Sequence, residues 1–260
     1  MSGGQRVSIL SYHDVSPDPH PAFRRYSATV REFERQMRWL TRRGYAAIDL
    51  DAFLSACSGR IQLPPRSVII TFDDGFRSCV EHAVPVLQAH GFTAVFYLVA
   101  GLMGSSSRWM ADAGVNLPLM SWSAARELAA TGYQCGVHTM SHPRLTTLDA
   151  KRRRIELADA RRRAEDELGR EATHFAYPYG ALDAAVRESV AEAGYATACS
   201  TSPGRAGCLD DPLALPRLTI HGGEPLVSFA WRIRTGRGIR QSARTVFKGI
   251  LGRSARPPVR

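Results

Sequence analysis

The stretch SVIITFDDGF, residues 67 to 76, sets an apolar run of strand length directly against two adjacent carboxylates, Asp73 and Asp74. The apolar part reads as a strand, and the Asp-Asp-Gly marks the point where that strand leaves the core. Similar runs occur at VSILSYH (7 to 13), YAAIDL (45 to 50), TAVFYLV (93 to 99), CGVHT (135 to 139), HFAYP (174 to 178), YATACS (195 to 200) and LALPRLTI (213 to 220). Segments of helical period separate them. In EFERQMRWLTRRG (32 to 44), Phe33, Met37 and Leu40 form an apolar face and Gly44 a C-cap. Further helices fit 78 to 90, 123 to 131, 148 to 168 and 182 to 193. Strands alternating with helices define an α/β chain, either a (β/α) barrel or a doubly wound sheet. Both architectures carry functional residues at the C-terminal ends of their strands.

The polar clusters fall at those ends. SYHD follows the first run, FDDG the third, HTMSH the fifth, YPYG the sixth and His221 the last. In a barrel these ends converge on one rim. His138 and His142 stand four apart, so two imidazoles can reach one ion, and a carboxylate from FDDG completes a two-His, one-carboxylate set. Three protein ligands leave a position open, and zinc there lowers the pKa of bound water to about 7. A second carboxylate, not spent on coordination, can take a proton from that water. Each piece alone has a plainer reading. Asp-Asp-Gly also makes a turn, HxxxH also occurs as two exposed histidines, and YPYG also makes a rigid corner. The combination, in this order and at strand ends, favours the chemical reading.

With 260 residues and 44% apolar content, the chain can bury a sizeable core. The five cysteines, Cys57, Cys79, Cys135, Cys199 and Cys208, lie far apart without a C-x-x-C pair, which predicts reduced thiols and no disulfide framework. Neither an N-terminal apolar leader nor a run of spanning length is evident, so the expected location is cytoplasmic. The net charge of +10 is concentrated in the tail, since no acidic residue follows Glu224.

TFDDG (71 to 75), HTMSH (138 to 142), FAYPYG (175 to 180) and LTIH (218 to 221) resemble, in order, the motifs of the NodB-type polysaccharide deacetylases, carbohydrate esterase family four. The resemblance covers roughly residues 5 to 222, including SILSYHDVSP and EFERQMRWLTRRGYAAIDL near the N-terminus. It implies a distorted (β/α)7-type barrel and a metal-dependent hydrolase that removes N-acetyl groups from amino sugars. Carried over residue by residue, it makes Asp73 the general base and Asp74, His138 and His142 the metal ligands. The implied ion is zinc, with cobalt, nickel or iron accepted by related members. Tyr179 matches the position whose backbone N–H helps hold the oxyanion, and His221 the acid that protonates the leaving amine.

Two departures stand out. Where many members carry an arginine in the third motif to pair with the catalytic aspartate, this chain has Ala176. Arg217 is a candidate to grip Asp73 instead, a structural ion pair with another acid being the alternative, and it is grouped with His13 as a candidate substrate contact. The tryptophan-containing fourth motif is not recognisable in 200 to 216. These departures keep a non-catalytic glycan-binding barrel as a rival, alongside an O-acetyl esterase.

The run KRRRIELADARRRAEDELGR (151 to 170) carries opposite charges four apart, Arg152 with Glu156 and Arg161 with Glu165, and reads as a solvated helix face. The domain division is a catalytic barrel over 1 to 225 and a basic amphipathic tail over 226 to 260. That tail suits peripheral contact with an anionic membrane at the inner leaflet, or else closes the barrel as a terminal helix. An N-acetylated glycan is the expected partner, and nothing in the barrel portion points to nucleic acid.

Overall fold

The computed structural model describes residues 5–238. Its main sheet is built from β1 (Ser8–Tyr12), β4 (Ala46–Ala47), β5 (Ser67–Phe72), β6 (Val95–Leu98), β7 (Gln134–Val137), β8 (His174–Ala176), β9 (Thr197–Cys199) and β10 (Leu218–Thr219). The order is β10-β1-β5-β6-β7-β8-β9, every pairing is parallel, and β4 adds to β5. The two outer strands of that order meet through the segment before β10. Leu215 N–H donates to Ala198, Ser200 N–H to Leu215, and Arg217 N–H to Ser202. The parallel strands thus curl into the distorted (β/α)7 barrel. A small second sheet pairs β2 (Asp14–Ser16) with β3 (Ser27–Thr29) beside the mouth.

The helices are α1 (Val30–Arg42), α2 (Leu50–Cys57), α3 (Val84–Ala89), α4 (Trp122–Ala130), α5 (Ala150–Arg154), α6 (Ala160–Leu168), α7 (Ala184–Glu192) and α8 (Leu226–Thr235). Thr29 and Glu32 start α1 with a reciprocal capping box, and Gly44 takes up a positive φ of 70° just beyond its end.

All six residues of β5 are buried, as a parallel strand covered on both faces requires. Val68, Ile70 and Phe72 pack outward with Phe33, Met37 and Leu40 of α1, whereas Ile69 joins Ile9, Val95, Tyr97 and Leu215 inside the barrel. Burying one such side chain is worth about 1.5–3 kcal/mol. The same period of two has a functional consequence. Ile69, Thr71 and Asp73 share the inner face, as do Ile9, Ser11 and His13, so both strands end with polar side chains over the interior.

Three expectations are corrected. LALPRLTI is the end of a 3-10 turn (Pro212–Ala214) and a two-residue strand, because Pro216 within it and Pro212 just before it remove ladder donors. YAAIDL holds only a two-residue strand, and Asp49 then caps α2. Cys57, at the end of α2, and Cys208 form a disulfide across 151 residues, where reduced thiols were expected. Barrel closure brings their Cα atoms to 4.9 Å, within the disulfide range, a proximity that spacing does not reveal. Cys79, Cys135 and Cys199 are buried free thiols.

The first part of the predicted tail belongs to the barrel, since Phe229 and Ile233 of α8 are buried in the core beside α1. Its basic remainder, with Val246, Phe247, Ile250 and Leu251, lies outside the described residues. No described helix is long and apolar enough to cross a membrane.

Candidate active site

Asp73 continues the ladder of β5, its N–H donating to Tyr12, and its side chain turns into the mouth with only 3% exposure. Arg217 meets it there. One guanidinium nitrogen lies 2.6 Å from Oδ1 and another 2.7 Å from Oδ2, while Thr71 Oγ1 and the Ser200 carbonyl accept from the same group. Ser11 Oγ donates to Asp73 Oδ2 at 3.3 Å, and His13 Nε2 stands 4.0 Å from that oxygen. Burial pushes the Asp73 carboxyl up, but Arg217 and the nearby His138 outweigh it and hold the group below the usual range. Asp73 is therefore an anion at neutral pH. Arg217 is itself fully buried, so it grips Asp73 from below, and the grouping of Arg217 with substrate contacts is corrected.

Asp74 follows with a positive φ of 73°, and Gly75 repeats that conformation. This left-handed pair breaks the strand's alternation and swings Asp74 to the same side as Asp73. Its Oδ1 lies 3.4 Å from His138 Nε2 and 3.2 Å from His142 Nε2, yet it is buried without a hydrogen-bond partner. Contact without hydrogen-bond alignment is what three donors aimed at a common point give. His138 Nδ1–H donates to the Ala176 carbonyl at 2.7 Å, which leaves Nε2 its lone pair. Burial lowers the pKa of His142 and keeps it neutral, as ligation requires, although Asp74 acts the other way. Asp74 stays ionised, since both imidazoles outweigh its burial. The three ligand atoms lie within 4.8 Å of one another, and this buried set fits a divalent cation.

The loop HTMSH achieves this by strain. Thr139 (φ 68°) and His142 (φ 63°) are left-handed, and the His142 N–H donates to Thr139 Oγ1 at 2.9 Å. With Asp74 and Tyr179 (φ 60°), they are the four non-glycine residues of positive φ among the described residues. All four lie at one site, each at a cost on the order of 1–3 kcal/mol.

Tyr179, half exposed in the turn after β8, meets His142 in a T-shaped ring contact at 4.8 Å, with the Arg144 guanidinium over its face. Trp109 stacks on His142, ring centroids 4.4 Å apart. Sequence reading missed Trp109, which sits in a connection without apolar period, and also Tyr26, which lies between His13 (5.3 Å) and His221 (6.0 Å). Burial, then Arg25 and Arg232, lower the pKa of His221, so the ring is neutral at pH 7. His13 stands nearer to Asp73 than His221 does.

A barrel with an ionised aspartate beside a Asp-His-His cation cradle defines a hydrolase site of one known class. Residues 60–198 match the family model for polysaccharide deacetylases, and the chain belongs to that family. It is 26% identical to the poly-beta-1,6-N-acetyl-D-glucosamine N-deacetylase of Escherichia coli (strain K12), over 87% of this chain. The match spans 38% of that enzyme's length. Among solved structures, IcaB from Ammonifex degensii is 27% identical with a TM-score of 0.72, covering 84% of this chain and 92% of that one. The Streptococcus pyogenes deacetylase PplD, solved with acetate, shares the fold at a TM-score of 0.77 and 20% identity, over 88% and 99% of the two chains.

Proposed function

We propose that this protein is a metal-dependent N-deacetylase acting on N-acetylated hexosamine units of a polysaccharide or lipid-linked saccharide. The observation that carries the reading is the division of two adjacent carboxylates, Asp73 clamped by Arg217 and Asp74 joined to His138 and His142. A cation held by Asp74, His138 and His142, zinc in this reading with cobalt, nickel or iron as substitutes, supplies Lewis acidity and lowers the pKa of coordinated water. Asp73, ionised and unable to turn away from its arginine, takes a proton from the attacking water. The Tyr179 backbone N–H donates to the oxyanion as the acyl carbon becomes tetrahedral. The C–N bond then breaks, the amine nitrogen gains a proton, and acetate leaves. His221 is assigned as the donor of that proton through its motif, and His13 as a substrate contact. The glycan-binding alternative rested partly on Ala176, and Arg217 supplies the guanidinium missing at that position.

One observation favours a second reading, hydrolysis of O-acetyl esters. A neutral His221 is a poor proton donor, and an ester's leaving group needs an acid less than an amide's does. Acetate release from N-acetylhexosamine oligomers and from O-acetylated sugars, measured on the zinc-loaded protein, separates the two. Faster release from the N-acetyl oligomers is expected, and release from O-acetyl esters alone overturns the proposal.

The Cys57–Cys208 disulfide removes the thiol argument for a cytoplasmic location and favours work in an oxidising compartment. Contact of the basic tail with an anionic membrane is kept as part of the proposal.

A further inference from the structure

Glu156 stands four residues after Arg152 but does not pair with it. Instead its carboxylate reaches back to the HTMSH loop. Oε2 accepts the backbone N–H groups of both Met140 and Ser141 at 2.9 Å, and Oε1 accepts the Ser141 hydroxyl at 2.6 Å. Those two residues lie between His138 and His142.

The local fold explains why this glutamate is free to do so. The helical run after Asp149 changes to π geometry at Ile155–Asp159 before resuming as α6, which takes Glu156 out of register with Arg152. Arg161 and Glu165, in the regular helix beyond, keep their pair at 2.8 Å. The support behind Glu156 is rigid. Leu157, Ala160 and Ala164 are fully buried, and the Leu157 carbonyl accepts the Tyr195 hydroxyl. Across the loop, the Ala100 and Gly101 N–H groups donate to the Thr139 and Met140 carbonyls, and a Cβ on Gly101 would meet the Met140 oxygen at 2.6 Å. The loop is thus held on one flank by the end of β6 and on the other by a single carboxylate. Charge-assisted bonds of this kind are roughly twice as strong as neutral ones.

We infer that Glu156 is a positioning residue for the candidate metal site, fixing the strained backbone between His138 and His142 so that both imidazoles converge on Asp74. The inference rests on the metal reading proposed above. Outer-shell groups that orient ligands typically change metal affinity about 10–100-fold when removed.

The test is titration of the metal-stripped full chain with Co2+, followed by visible absorption, beside thermal melting of each metal-free variant. Glu156→Ala is expected to weaken Co2+ binding about 10–100-fold and to change the absorption bands. Glu156→Gln, whose amide oxygen still accepts the two N–H groups, is expected to stay within about threefold of wild type. Arg152→Ala, on the same helix, is expected to bind as wild type. Wild-type affinity in Glu156→Ala overturns the inference while leaving the metal reading intact. Absence of Co2+ binding by the wild-type chain overturns both. Should Glu156→Ala not fold, Glu156→Asp decides, because its shorter reach keeps the charge but loses the bonds: weakened binding supports the inference and wild-type affinity overturns it.

Discussion

Arg217 holds both carboxylate oxygens of Asp73, at 2.6 and 2.7 Å, from a position 144 residues further along the chain. Breaking this buried pair is expected to be expensive. Arg217→Met should lower stability by about 3–5 kcal/mol, because Asp73 is left buried without its cation. Thermal melting measures this directly.

The same pair predicts a pH dependence. The folded carboxyl titrates below its ordinary range, so the pair's stabilisation is complete above about pH 4 and is lost as pH falls through that lowered value. An acid limb of activity set by Asp73 lies below about pH 4 in the wild type. In Arg217→Met the burial that opposes ionisation acts against a weaker pull, and the limb moves upward. A pH–rate profile that does not shift contradicts the role given to Arg217.

In the proposed mechanism Tyr179 contributes its backbone N–H and not its phenol. Tyr179→Gly keeps that N–H and suits the positive φ, so kcat is expected to fall by less than about tenfold, whereas loss of an oxyanion donor costs about 100–1,000-fold. Steady-state kinetics of this variant on an N-acetylhexosamine oligomer distinguishes the two.

The Cys57–Cys208 disulfide closes most of the chain into one loop. Cys57→Ser is expected to cost about 2–5 kcal/mol of stability. Thiol titration of the unreduced, denatured protein should find the three thiols of Cys79, Cys135 and Cys199, and five would contradict the pairing.

The strands were legible because a parallel barrel buries them on both faces, leaving apolar runs that end abruptly in FDDG or HTMSH. Asp73, Asp74, His138 and His142 were legible for the same reason, each following such a run. Arg217 was visible only as a candidate, since register and burial, not spacing, aim it at Asp73. Glu156 was misread because i,i+4 pairing presumes α geometry, and the chain is π-helical there. Trp109 and the disulfide left no signal, for both depend on where connections of no fixed period come to rest.

The division of labour between the two aspartates is tested most directly by metal analysis and acetate release on Asp73→Asn and Asp74→Ala together. Asp73→Asn is expected to keep its metal and lose about 100–10,000-fold in rate, while Asp74→Ala loses both metal and activity. Retained acetate release in Asp73→Asn, or full metal content in Asp74→Ala, would contradict the account.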